Sequence, residues 1–186
     1  MSAASVPCEA AVLAKIDAAK ERRDVVSLCA TLGSRTNTPR VFARCAEALC
    51  DVCCDDDPAR VAAVAQGAIG HVLEALRRTS ILQLASVHGW ALLALLLFKN
   101  SAAIAQAVDG GGPELALSCL KASEDAETLN FAVKVVCSVT NDGGHASRAV
   151  SLGIVEVSCP ARKGCVDHAR RPYLRTHEST SRTSVF

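Results

Sequence analysis

The sequence predicts an all-α protein built from stacked short helices, an α-solenoid, and two observations support this class. Half of the residues are apolar but only 3% are aromatic, because the apolar residues are mainly Ala, Val and Leu. These residues suit closely packed helices better than a β-sandwich. In addition, similar helical segments recur every 41 to 46 residues, and such internal periodicity is the signature of repeat proteins.

Three similar segments define the predicted repeat. They are CAEALCDVCC from Cys45, ALLALLLFKN from Ala91 and AVKVVCSVTN from Ala132, at offsets of 46 and then 41 residues. This alignment places Leu49, Leu95 and Val136 at one shared core position. From the same alignment we interpret Asn100 and Asn141 as the ends of their helices, a position where Asn is common. Each unit then consists of a short helix, a glycine break, a second helix, a polar turn and a longer third helix.

The unit pattern predicts three regions in the chain. We expect a flexible N-terminus over residues 1–8, a repeat domain over 9–157 and a basic disordered tail over 158–186. Residues 159–186 hold six Lys or Arg against two Asp or Glu and show no helical apolar period. A fourth unit begins near Gly143 and stops early, so we expect self-association through an uncapped C-terminal repeat.

This arrangement resembles the armadillo repeat. The residues that carry the resemblance are the break glycines Gly67, Gly112 and Gly153 and the A-x-x-A-L pattern of Ala91, Ala94 and Leu95. HEAT repeats, with two helices per unit, are the nearest alternative. The resemblance implies a right-handed superhelix of about three repeats, with the third helices along a concave groove.

The resemblance also implies which residues bind a partner, because positions between the core residues of each third helix face the groove. These positions are Arg44, Glu47 and Asp51 in the first unit, Trp90, Leu93 and Leu97 in the second, and Phe131, Lys134 and Ser138 in the third. Trp90 and Phe131 should lie side by side as aromatic anchors. Leu93 and Leu97 have an alternative role in the core, since the segment around them is apolar on every side.

Composition and motifs exclude several functions. The net charge of +1 gives no general attraction to nucleic acid. The chain shows no nucleophile motif, phosphate loop or paired carboxylates, so we predict neither enzymatic activity nor a cofactor. The sequence therefore predicts a non-enzymatic scaffold that binds an extended peptide or a protein surface.

Two alternative functions stay open at this level. Residues 81–98 contain no charged side chain and could form a membrane anchor, although polar residues dilute the first half. Cys50, Cys53 and Cys54 could belong to a metal-binding regulator, but no second chelating pair follows them, so we predict no metal. The ten cysteines instead suggest free thiols in the cytoplasm or the nucleus.

Overall fold

The computed structural model describes residues 8–34, 37–78 and 83–145, and the side chains of residues 83–85 are not among the described ones. The described residues form helices joined by short turns, with no strand among them, which confirms the predicted all-α class. The helices are α1 (Glu9–Glu21), α2 (Val25–Leu32), α3 (Pro39–Cys53), α4 (Asp57–Ala65), α5 (Ala68–Arg78), α6 (Gln83–Leu97), α7 (Ser101–Asp109), α8 (Gly112–Ala122) and α9 (Ala126–Asn141). The predicted tail over 158–186 and residues 146–157 lie outside the described part.

Short polar caps determine where the helices begin. The Asp56 carboxylate accepts a hydrogen bond from the Ala59 N–H at 2.9 Å, and the Asn100 side chain accepts one from the Ala103 N–H at 3.0 Å. Both residues have a φ of −130°, with ψ values of 94° and 90°. Each cap satisfies an N–H group that the first helical turn leaves without a partner. Asn100 therefore caps the start of α7. The sequence had suggested instead that Asn100 ends the preceding helix.

Two glycines break the chain between the first and second helices of consecutive units. Gly67 and Gly111 have φ values of 78° and 72°, a left-handed conformation that side chains with a Cβ rarely adopt. The second break therefore lies at Gly111, one residue before the predicted Gly112. The separation of Gly67 from Gly111 is 44 residues, the same as that of Asp56 from Asn100.

The longest helices lie side by side. Helix α6 packs between α3 and α9, and α1 packs along the other side of α3. The shorter helices form the remaining layer, in which α4 packs on α2 and α7 packs on α5. Apolar side chains from each of the described helices join in one buried cluster. Burial of this shared face, more than intrinsic helix propensity, is what stabilises such short helices.

Burial shows that the predicted register of α6 is wrong by two residues. In α3 and α9 the predicted core positions are buried, but Ala94 and Leu95 of α6 are half-buried and Phe98 is exposed. The equivalent buried positions are Cys45, Gly89 and Ala132; Ala48, Leu92 and Val135; Leu49, Leu93 and Val136; and Val52, Leu96 and Val139. The offsets are therefore 44 and 43 residues. The sequence misled because residues 90–98 are apolar on every side of the helix.

Helix α6 is also the segment that could have been a membrane anchor. It covers 15 residues, and no helix in the described part of the chain is long and apolar enough to span a membrane.

Candidate functional site: the third-helix surface

The corrected register changes which α6 residues belong to the candidate site. We define the third-helix surface as the positions between the core residues of the three long helices. It comprises Arg44, Glu47 and Asp51 of α3, His88, Ala91 and Leu95 of α6, and Phe131, Lys134 and Ser138 of α9. The α3 and α9 residues are those that the sequence predicted. Among them only Ala91 is buried, and the others are half-buried.

Trp90, Leu93 and Leu97 do not line an open groove, so the prediction for these three residues is wrong. Trp90 is 2% exposed, and both leucines are fully buried. Burial raises the pKa of the Cys119 thiol of α8, and the nearby Trp90 side chain opposes this rise. Trp90 therefore stabilises the core, and it is not paired with Phe131 as an anchor on the surface.

A network of charges occupies the α3 part of the surface. The Arg44 guanidinium donates to Asp17 Oδ1 through Nε and Nη2, at 3.0 and 2.7 Å, and to Glu47 Oε2 through Nη1 at 2.7 Å. The hydrogen bond to Glu47 and the neighbouring Asp17 raise the pKa of Arg44, although its partial burial opposes them. Lys20 forms an ion pair with Asp51 one turn further on. Helix α1 thus supplies charges that hold α3 residues in fixed positions.

A cleft of about 300 Å³ opens where α1, α3 and α6 meet. This volume is near the lower end, roughly 300 Å³, of typical ligand clefts. Its lining is Leu13, Asp17, Arg40, Ala43, Arg44, Glu47 and His88. The Nδ1 atom of His88 is buried and has no hydrogen-bond partner among the described residues.

The α9 part of the surface combines an aromatic ring with a cation. Lys134 Nζ lies 4.8 Å from the centroid of the Phe131 ring, within the range of a cation–π contact. The Ser138 hydroxyl donates to the Lys134 carbonyl oxygen at 2.9 Å. Phe131 packs partly against the core, so its remaining face is presented on a rigid helix.

The cysteines that suggested a metal centre are divided between core and surface. Cys50 and Cys53 are buried, whereas Cys54 is exposed. Burial raises the pKa of Cys53 to about 12 and that of Cys50 well above its ordinary value. Thiols with such pKa values remain protonated at neutral pH, which disfavours metal ligation. Across residues 8–34, 37–78 and 83–145, no group of three or more His, Cys, Asp or Glu side chains could hold a metal ion.

Sequence reasoning missed the contribution of His88 and of α1 to the site. His88 lies 44 residues after Arg44, the offset that separates Asp56 from Asn100 and Gly67 from Gly111. Alignment on these caps and glycines would have identified it. By contrast, the repeat pattern does not indicate that Leu13 and Asp17 lie beside α3. Helix α1 packs on α3 more extensively than the other first helices pack on their third helices, so this contact differs from unit to unit.

Comparisons with known proteins agree with the helical fold. The chain is similar to the crystal structure of an engineered protein from the Northeast Structural Genomics Consortium, with a TM-score of 0.64 and 25% sequence identity. The match covers 78% of this chain and 57% of the engineered one, so this chain spans little more than half the length of that protein. No protein-family model matches the chain, and no curated protein matches it.

Proposed function

We propose that the chain is an armadillo-type α-solenoid of about three repeats that binds a protein or peptide on its third-helix surface. Equivalent caps, glycines and core positions recur at 42 to 44 residues, and the third helices α3, α6 and α9 pack side by side. Stacked repeats of this kind present an extended surface of side chains from successive units. The same proposal makes the chain a non-enzymatic protein of the cytoplasm or nucleus, where its thiols stay reduced.

The cleft beside His88 is the observation that carries this proposal. It brings Arg44 and Glu47 of one unit together with His88 of the next unit, where His88 is the equivalent of Arg44. A partner lying across the third helices would therefore meet side chains from two units at one place. The charges there are already oriented by ion pairs, so little conformational entropy is lost when a partner binds.

The surface favours an extended partner with mixed chemistry. Packed helices lie about 8–10 Å apart, and an extended peptide advances about 3.3 Å per residue, so every third side chain would meet a new helix. The α3 end offers balanced charges, the central helix α6 offers Leu95, and the α9 end offers Phe131 and the cation of Lys134. We expect an apolar residue in the middle of the peptide and an acidic residue opposite Lys134.

A peptide selection tests this function without knowledge of the natural partner. A displayed library of random peptides would be selected against the full chain, and the affinities of enriched peptides measured for two charge reversals. Lys134→Glu reverses a charge on the third-helix surface. Lys121→Glu makes the same change at an exposed position on α8, outside that surface. We expect Lys134→Glu to weaken binding about 10-fold, equivalent to about 1.4 kcal/mol, and Lys121→Glu to have little effect. Equal effects of the two changes would contradict the proposed surface.

A further inference from the structure

Asp17 of α1 acts on the third-helix surface although it lies outside the repeat pattern. Its Oδ1 atom accepts from Arg44 Nε at 3.0 Å and from Arg44 Nη2 at 2.7 Å. On the other side, Glu47 Oε2 accepts from Arg44 Nη1 at 2.7 Å. All three nitrogens of the guanidinium thus donate to carboxylates, so the charge of Arg44 is already compensated within the protein.

The charges around this contact leave the cleft slightly negative. One guanidinium faces the two carboxylates of Asp17 and Glu47, so the three side chains together carry a net charge of −1. The second arginine of the cleft lining, Arg40, lies 3.7 Å from Glu9 Oε1 and is balanced by that carboxylate. A partner carboxylate in the cleft would therefore meet like charges at close range, which repel it.

Two carboxylate oxygens take no part in the bonds to Arg44. They are Asp17 Oδ2 and Glu47 Oε1. Both side chains remain accessible, at 50% exposure for Asp17 and 23% for Glu47. A carboxylate has acceptor sites on each of its oxygens, and hydrogen bonds from a charged donor are the strongest that it accepts. A cationic group would thus satisfy both the free oxygens and the net charge.

The same cleft also has an apolar part. Leu13 of α1 and Ala43 of α3 belong to its lining. Lysine and arginine lay the methylene groups of their side chains along apolar surface while the charged end reaches polar atoms. The lining therefore matches both parts of a basic side chain.

The two cations at opposite ends of the third-helix surface differ in their surroundings. Lys134 Nζ lies 4.8 Å from the centroid of the Phe131 ring, and an aromatic ring does not neutralise the charge of a cation. Arg44, in contrast, donates to two carboxylates. Lys134 can thus attract an acidic group of a partner, whereas Arg44 is prevented from doing so.

We infer that the cleft takes a lysine or arginine side chain of the partner, and that Asp17 determines this specificity. Asp17 supplies one of the two carboxylates and compensates the charge of Arg44. Because it names the side chain that one part of the third-helix surface accepts, this assignment rests on the proposed function. The partner then presents a basic residue to the cleft and an acidic residue to Lys134.

Blocked single amino acids test the cleft without a partner protein. Acetyl-arginine methylamide and acetyl-glutamate methylamide would be titrated into the full chain at about pH 8, where an ordinary imidazole is uncharged. The methyl signals of Leu13 and Ala43 report binding by nuclear magnetic resonance. Asp17→Asn keeps an oxygen that can accept from Arg44 but removes the charge. Asp109→Asn makes the same change at an exposed position on α7, outside the cleft.

The arginine derivative should shift the two methyl signals to saturation, and the glutamate derivative should leave them in place. Asp17→Asn should weaken binding of the arginine derivative about 3-fold, as expected when one partly exposed charge pair is lost, and Asp109→Asn should not change it. No shift with the arginine derivative, equal shifts with both derivatives, or equal affinities of wild type and Asp17→Asn would overturn the inference.

These outcomes are separable from those of the peptide selection. Binding of the arginine derivative in the cleft, without any enriched peptide, would contradict the proposed function and leave the specificity of the cleft intact. Enriched peptides that respond to Lys134→Glu, without binding of the arginine derivative, would contradict only the role assigned to Asp17.

Discussion

Small residues occupy one equivalent core position in each of the three third helices. The equivalent positions hold Cys45, Gly89 and Ala132, all buried. A Cβ atom added at Gly89 would lie 2.8 Å from Leu76 Cδ2 and 3.2 Å from two ring atoms of Phe42. Because both neighbours belong to the buried core, they have little room to move.

Gly89→Leu should therefore destabilise the protein, since excess volume in a packed core costs about 1–3 kcal/mol. Gly70 is the matched control, because it is exposed on α5 and a Cβ there would have no neighbour within 4 Å. Gly70→Leu should stabilise by about 0.5–1 kcal/mol through better helix propensity. Urea unfolding of both variants measures the difference, and a stabilising effect of Gly89→Leu would contradict the close approach.

Buried thiols make the stability depend on alkaline pH. Burial raises the pKa of Cys29 to about 11 and that of Cys45 to about 12, from an ordinary value of 9.0. Between these values the unfolded chain loses the thiol proton while the folded chain keeps it. The contribution of the thiols is thus complete below pH 9 and is lost as the pH rises toward about 12.

Cys45→Ala should consequently reduce the loss of stability between pH 9 and pH 11, since one thiol with a raised pKa is removed. Cys8→Ala provides the control, because Cys8 is exposed before α1. Urea midpoints at pH 8, 9, 10 and 11 give the two profiles. If the Cys45→Ala and Cys8→Ala profiles fell equally with pH, the thiol of Cys45 would not be responsible.

Among the helices, α6 shows most clearly what the sequence could and could not predict. The apolar period of α3 and α9 correctly identified their buried faces, since polar residues mark the opposite side. In α6 the segment around Leu92 to Leu97 is apolar throughout, so any rotation of the helix buries leucines. Its contacts with neighbouring helices, chiefly α3, α5 and α9, determine that Leu96 is buried and Leu95 half-buried.

Two alanine substitutions in α6 test this register. Leu96→Ala should lower the free energy of unfolding by about 2–5 kcal/mol, as truncation of a buried leucine does. Leu95→Ala should lower it by about half as much, because part of the side chain is already in water. Equal losses, or a larger loss for Leu95→Ala, would restore the register that the sequence alone suggested.

The residues at the ends of the helices were only partly predicted from the sequence. Asn141 ends α9 as predicted, but Asn100 was also interpreted as a helix end and instead caps the start of α7. Asn100→Ala should destabilise α7 by about 0.5–2 kcal/mol because the Ala103 N–H loses its acceptor. Asn100→Asp keeps an acceptor oxygen and should be nearly neutral. Thermal unfolding of the two variants checks this, and equal losses would show that the cap contributes little.

At the scale of the whole molecule, the all-α class was predictable because composition and period agree across the chain. The candidate surface was predicted at Arg44, Glu47, Asp51, Phe131, Lys134 and Ser138, where the register of α3 and α9 is correct. The prediction was wrong at Trp90, Leu93 and Leu97. An error of two residues in the repeat offset of α6 assigns residues of its buried face to the surface. The cleft beside α1 depends on packing between distant segments and therefore had no local signal.

Site-specific photo-crosslinking can show directly whether a partner binds along the third-helix surface. A benzophenone amino acid would replace Ser138 of α9 or, separately, Val61, which is 62% exposed on α4 and outside that surface. The method detects proximity and so does not depend on the charge of the partner. With a selected peptide, we expect efficient crosslinking from position 138 and little from position 61. Crosslinking from position 61 but not from position 138 would contradict it.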